Sequence, residues 1–414
     1  MSEDGTDSES VSPGPDAQAE VWYNWAVRRQ AAGAFTEARA GYREALRMNP
    51  ALAIAWNGLG TVHVAQGQPG DAAVAYREAI RLRPAFRDAW SNLGIALGKS
   101  GQLEDAVEAL QEALRLDPDH ADAWDALAYT QGKRGAYAQE TDAARKVVRL
   151  RSHAADAWNN LGWALWNLGR HDEAGEAFRT ALRLDPGCGL AWRNLGWAYT
   201  QRAQYGEAAL LFEEATRATP TDADAWLGLG NVEGYRGEYD EASRALHAAV
   251  RLRPDADVAW RLLGLSYAYR GFGEQAIPAF REALRLNPSS AGAWFGLGIA
   301  HYDAGAFGEA VRLTPEDAYA WHNLGEAYVQ LGRTADAVDA LRATVRLRPS
   351  GQGDWFRLGM LCGRQGDRAG CVQALRRLRR LDGERAKQLL REISRTGVAQ
   401  TARESPQSTD RLGA

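Results

Sequence analysis

The side chains of this chain that could do chemistry are few and scattered. Its seven histidines are His63, His120, His153, His171, His247, His301 and His322, and no His-Glu-x-x-His motif occurs among them. His63 and His301 stand seven places after a Trp, where Tyr199, Tyr267 and Tyr328 stand in other segments, so both read as packing residues. Gly-Leu-Gly at 58–60, 228–230 and 296–298 lacks the third Gly and the preceding strand that a dinucleotide site requires. The three cysteines, Cys188, Cys362 and Cys371, form no metal-type pairs and no disulfide framework, which fits a reducing, cytoplasmic setting. Carboxylates are spread over many positions. No catalytic residue, metal site or cofactor is therefore expected. What the chain offers instead is groups that bind. Tyr129, Trp163, Trp197 and Asn231 stand five places after recurrent Trps. Trp166, Asn167, Tyr235 and Tyr269 stand eight or nine places after them, and Asn160 and Asn194 two places after. Trp and Tyr concentrate binding energy at interfaces. An amide carries a donor and an acceptor, so it can pair with a peptide backbone of any sequence.

The elements that must position these groups follow from a fixed period. Trp recurs at 22, 56, 90, 124, 158, 192, 226, 260 and 294, each step 34 residues; a step of 27 leads to Trp321 and one of 34 to Trp355. Leu follows three places later (Leu59, Leu93, Leu161), Gly often at the fourth (Gly60, Gly94, Gly162) and again at the eleventh (Gly67, Gly101, Gly169). Ala stands at the sixteenth place, an apolar or aromatic residue at the twentieth, and Pro at the twenty-eighth (Pro50, Pro84, Pro118, Pro186). Offsets of three, four and seven share one helix face. The second Gly suits a helix end that needs positive φ, and Pro stops the second helix. Asp two places before Trp (Asp88, Asp122, Asp156, Asp224) favours a first turn through the helix dipole. One period is thus helix, tight turn, helix, tight turn. A period of this size marks a stacked array.

Stretches such as Ala157-Trp158-Asn159-Asn160-Leu161-Gly162-Trp163-Ala164 and Tyr205-Gly206-Glu207-Ala208 resemble the tetratricopeptide repeat family. The resemblance covers roughly residues 20 to 383 in eleven repeats. It implies an all-α, right-handed α-solenoid of stacked helix-turn-helix units with a concave ligand surface. The Asn two places after Trp (Asn24, Asn92, Asn160, Asn194, Asn323) is similar to the asparagine ladder in the repeat region of O-linked N-acetylglucosamine transferases. Gly58, Ala126, Gly228, Leu262, Gly296 and Arg357 break it here.

Departures from the period carry the rest. Repeat 4 holds Glu140 at the small-residue place, Ala144 at the aromatic place and Ser152 at the Pro place, which predicts looser packing. Repeat 8 carries Pro278 early in its second helix. Repeat 9, about 292–318, is seven residues short; its second helix is expected from about Ala306 to Leu313, with a change of direction after it. Residues 1–19 read as a disordered acidic tail, 384–395 as a capping helix and 396–414 as a disordered tail. Between Phe356 and Arg395 eleven basic residues face four acidic ones, centred on Arg376, Arg377, Arg379 and Arg380. A net charge of −4, and arginines with no interleaved aromatics, argue against nucleic acid. No apolar run suggests a signal peptide or membrane insertion. The resulting expectation is a non-enzymatic scaffold or adaptor that binds a peptide or protein segment in its groove. The alternatives are a regulatory or substrate-recruiting subunit of a separate enzyme such as a glycosyltransferase, and a structural protein that self-associates through its acidic tail and basic end.

Overall fold

A helix with Trp, Leu and Gly along one face must bury that face against a neighbour, and each period supplies one. In the computed structural model, which describes residues 15–301 and 303–395, the described elements are 23 α-helices and no strand. Contacts divide the chain into two units, Met1–Ala198 and Tyr199–Ala414. The first holds α1 (Pro15–Ala31), α2 (Phe35–Met48), α3 (Ala53–Ala65), α4 (Pro69–Leu82), α5 (Arg87–Lys99), α6 (Leu103–Leu116), α7 (Ala121–Lys133), α8 (Tyr137–Leu150), α9 (Ala155–Asn167) and α10 (His171–Leu184). It ends within α11 (Gly189–Gln201). The second holds α12 (Tyr205–Ala218), α13 (Ala223–Arg236), α14 (Tyr239–Leu252), α15 (Asp257–Tyr269), α16 (Gly273–Leu286), α17 (Ala291–His301), α18 (Ala304–Leu313), α19 (Ala318–Gln330), α20 (Thr334–Leu347), α21 (Gln352–Gln365), α22 (Arg368–Leu381) and α23 (Gly383–Arg395). Within each unit, consecutive helices pack as hairpins, and each hairpin packs on the next. α23 lies on both α21 and α22. The fold is an α-solenoid.

The first acidic residues are not all tail: α1 opens at Pro15, so Asp16 and Glu20 are helical, and Pro at a first helical turn loses no bond. Residues 1–14 and 396–414 lie outside the described residues.

Three sequence devices build each hairpin. The first is close approach. A Cβ on Gly162 would stand 2.6 Å from the Phe178 ring, so the missing side chain is what seats this fully buried aromatic. Burying such a ring contributes about 1.5–3 kcal/mol. The second is the turn: Gly169 has φ 81°, and the equivalent place one repeat on is filled by Ala203 at φ 57°. The third was not legible from helix periodicity. In ten successive repeats the Trp indole N–H donates to the carbonyl six residues earlier, in nine of them that of a Pro, as in Trp56 to Pro50, Trp192 to Pro186, Trp321 to Pro315 and Trp355 to Pro349. Where Ser152 replaces Pro, Trp158 makes the same bond at 2.9 Å, because the acceptor is backbone. The Trp thus ties the inter-repeat turn to the next first helix.

Repeat 9 departs from expectation in where it is shortened. α17 has 11 residues against 13 in α9, and α18 has 10 against 14 in α10, so both helices and the turn lose length. α18 starts at Ala304, and Gly305 lies inside it rather than at the turn. The Asp303 side chain accepts from the Gly305 N–H and caps the helix. The register is fixed by Phe307, which is buried beneath Gly298 as Phe178 is beneath Gly162. The loss therefore falls between Gly298 and Phe307. The Trp321–Pro315 bond keeps the following junction intact. Pro278 sits inside α16, which continues past it.

Candidate binding site

In the first unit the inward places of α5, α7 and α9 meet α8 around a cavity of about 450 Å³. Three of the expected residues line it: Tyr129, 59% exposed, Trp163, 49% exposed, and Asn160. Ile95, Ala126 and Ala128 add apolar wall; Asp122, Asp125, Glu140 and Lys99 add charge. Lys133 Nζ lies 5.4 Å from the centre of the Tyr129 ring.

The asparagines are spent differently from the ladder expected of them. Asn92, Asn160 and Asn194 each bond back to the residue one place after the preceding Trp, whereas Asn323 donates to the Tyr319 carbonyl of its own helix. Asn92 Nδ2 donates to Asn57 Oδ1 at 3.0 Å, Asn160 to Asp125 at 3.3 Å, and Asn194 to Asn159 at 3.0 Å. Asn194 and Asn159 are both buried, so Asn194 presents no free amide to a ligand. These bonds stitch adjacent repeats. The chain announces them by amide or carboxylate pairs 35 residues apart.

The remaining expected residues do not join the cavity. Trp166 is half-buried against the His171 ring at 4.4 Å, closing its own hairpin. Asn167 is half-buried and its amide bonds the Glu140 carboxyl. Trp197, on α11, is half-buried. In the second unit Asn231 is half-buried; Tyr235 stacks on Tyr205 at 4.8 Å and Tyr269 on Tyr239 at 5.1 Å. Both outer tyrosines keep one face exposed while the other cements a repeat junction.

Glu140 is the residue the groove positions did not contain. It occupies the slot that holds Ala72, Ala106 and Ala174 in neighbouring repeats, and it is 7% exposed. Its Oε2 has no hydrogen-bond partner. Burial pushes its carboxyl above the ordinary glutamate range, against the opposing bond from Asn167. Room for the carboxyl comes from Gly132, where a Cβ would stand 2.7 Å from Oε1. Repeat 4 nonetheless keeps a full-length α8 and a positive-φ turn at Gly135.

A second surface lies on α22. Across the other second helices, Arg pairs with an acid three residues earlier, as in Arg81–Glu78, Arg115–Glu112 and Arg285–Glu282. α22 contains no acid. Its Arg368, Arg376, Arg377 and Arg380 line a cavity of about 600 Å³ with Trp355, and Arg377 Nε donates to the Pro349 carbonyl.

Among the described residues no three His, Cys, Asp or Glu side chains cluster to hold a metal. Burial pushes the Cys362 thiol up to about 12, which denies it thiolate reactivity. Among the described residues no helix is long and apolar enough to cross a membrane.

The repeat geometry agrees with comparison to known proteins. Tetratricopeptide repeat models match residues 23–85, 58–121, 91–155, 129–187, 161–223, 199–265, 261–314 and 304–352. The chain belongs to the tetratricopeptide repeat family. No curated protein matches it. Among solved structures it is similar to a tetratricopeptide repeat protein from Parabacteroides merdae, with 17% identity, TM-score 0.50, and coverage of 60% of this chain and 99% of that one. It is also similar to pilF of Pseudomonas aeruginosa (24% identity, TM-score 0.46, 50% of this chain and 94% of that one). A third is YrrB, described as having an unusual peptide-binding site (24% identity, TM-score 0.37, 45% and 96%). Tetratricopeptide repeat proteins are typically non-catalytic, and the general role of a protein-interaction scaffold extends to this chain.

Proposed function

We propose that the protein is a non-enzymatic, cytoplasmic adaptor that seats a peptide or protein segment on the inward places of α5, α7 and α9. The observation that carries this is the pairing of two exposed aromatics, Tyr129 and Trp163, on one 450 Å³ cavity. Large aromatics left in water on a monomer call for a partner. Two of the surrounding polar groups are already held, Asn160 by Asp125 and Asp122 by Arg151, which orders that part of the wall before binding. Pre-organisation of this kind lowers the ordering cost of association. The test is affinity capture with the full chain and with Tyr129→Ala/Trp163→Ala, after circular dichroism shows the variant folded. A partner retained by wild type and released by the variant supports the seat; a partner held equally by both removes it. Recovery of an enzyme, such as a glycosyltransferase, would make the adaptor a regulatory or substrate-recruiting subunit.

A second reading rests on α22. Its arginines lack the acids that neutralise the other second helices, and the chain's first nine residues contain Glu3, Asp4, Asp7 and Glu9 with no basic residue. We propose that the basic helix docks an acidic segment, the N-terminal tail of another copy being one. Sedimentation at low and high salt, with and without residues 1–14, tests it: self-association should weaken with salt and with the deletion. Association indifferent to both would exclude the tail.

A further inference from the structure

Glu140 is the one place in the first unit where a repeat gives up a small buried residue for a charged one. Alanine in that slot costs nothing to bury. A carboxyl there loses its hydration and recovers one bond, from Asn167. Its other oxygen recovers none. A buried acceptor left unmade costs about 1–3 kcal/mol. Local rules broken at such a cost point to functional or strained sites, and a cavity beside the unmet acceptor leaves room for a ligand.

The cavity says what that partner is. Glu140 forms part of its wall, and Ile95, Ala126, Ala128 and the rings of Tyr129 and Trp163 form an apolar approach. Of the other carboxylates there, Asp122 is paired with Arg151, and Asp125 accepts the neutral Asn160 amide and feels the Arg151 charge only at longer range. Asp125 and Glu140 therefore face Lys99 as the single basic group lining the cavity. Aromatic faces attract cations, and Tyr129 already has the Lys133 ammonium over its ring. An anionic ligand would meet three carboxylates against one ammonium in the wall, and a purely apolar one would leave Glu140 unpaired.

We propose that this cavity is a specificity pocket for a cation on an apolar stem, the lysine or arginine side chain of a bound peptide. The stem runs between Tyr129 and Trp163 and its N–H groups meet Glu140 and Asp125. The inference rests on the groove reading above and adds its side-chain preference. Burial of the unpaired carboxyl raises its proton affinity, and a bound cation would restore the ionised form.

The experiment uses the full chain and four capped nine-residue peptides of alanine and serine whose central residue is lysine, arginine, norleucine or glutamate. Calorimetry at neutral pH should show lysine and arginine bound at least about tenfold more tightly than norleucine, with glutamate weakest, as a charge-assisted bond to a buried carboxylate implies. Glu140→Ala restores the residue of the neighbouring repeats and should fold; in it the cation preference should fall to within about twofold. Glu140→Gln keeps the shape and should lose most of the preference as well. Equal binding of norleucine and lysine would overturn the cation assignment and leave the seat standing. A preference that survives Glu140→Ala would overturn the role of Glu140. Failure of all four peptides up to about 1 mM would also overturn the inference; the seat itself is then decided separately by the Tyr129→Ala/Trp163→Ala capture.

Discussion

Glu140→Ala should stabilise the protein that carries it. In the wild type the Glu140 carboxyl is buried, holds one bond to Asn167 and leaves Oε2 unpartnered. Removing an unmade buried acceptor returns about 1–3 kcal/mol. The space vacated adjoins the cavity, so water can enter it and the dry-void penalty of a large-to-small change does not apply in full. We expect a net gain of about 1–2 kcal/mol near pH 8. The pH dependence carries the sign. Burial raises the folded carboxyl's pKa above its unfolded value. Its contribution to stability is therefore fully present below the unfolded pKa and is lost as pH rises through the folded one. The advantage of the alanine variant should be small near pH 4 and grow toward pH 8. A repeat array need not unfold in one step, so the assay is hydrogen exchange of the α8 amides, Tyr137–Leu150, beside urea denaturation. Protection in α8 should rise about 5–30-fold at pH 8. A variant less protected than wild type at pH 8, or an advantage that grows on acidification, would refute the reasoning.

Further expectations follow from other contacts. Trp226→Phe keeps one aromatic ring but removes the pyrrole ring and the N–H that donates to the Pro220 carbonyl, and should cost about 1–3 kcal/mol by denaturation, the lost bond and the lost packing together. Trp158→Phe should cost as much although Ser152 replaces the Pro, and a negligible effect would show that the indole bond is incidental. Ala203 holds a positive φ that other repeats give to Gly, so Ala203→Gly should stabilise the protein by about 0.5 kcal/mol and raise its melting temperature; a lowered one would mean no strain is stored there. Buried Asp354 accepts from Arg348 Nη2 at 2.7 Å, and His322 Nδ1 lies 2.8 Å from its other oxygen. Burial alone would raise its pKa, but the bonds from His322 and Arg348 win and hold it below the ordinary aspartate range. Its stabilisation is present above the unfolded pKa and disappears as pH falls through the folded one. Asp354→Asn should cost about 1–3 kcal/mol at pH 7, since the Arg348 it leaves behind is partly exposed, and the difference from wild type should shrink in acid. Matched pH profiles of the two proteins would contradict this.

The helices were legible because Trp, Gly and Pro punctuate them with strong backbone preferences. The register of repeat 9 was not, because Gly305 looked like a turn residue. What decides it is a side-chain contact, Phe307 beneath Gly298, and helix periodicity does not encode which Gly an aromatic will choose. The Asn194 bond was hidden for a similar reason. Two places after Trp is an inward place on an isolated helix, but in the stack the preceding repeat's Asn159 reaches it first. The spacing of 35 between Asn57 and Asn92, Asp125 and Asn160, and Asn159 and Asn194 was the available signal. Glu140 stood out as a costly residue, yet only the folded chain brings it to the same cavity as Tyr129 and Trp163.

The most direct test of the seat is hydrogen exchange of the full chain with and without its captured partner. The account predicts slowed exchange in α5, α7 and α9, the helices that carry the inward cavity wall, with Trp163→Ala abolishing the effect. Protection confined to α22, or to the second helices of the first unit, would place the interaction elsewhere and contradict it.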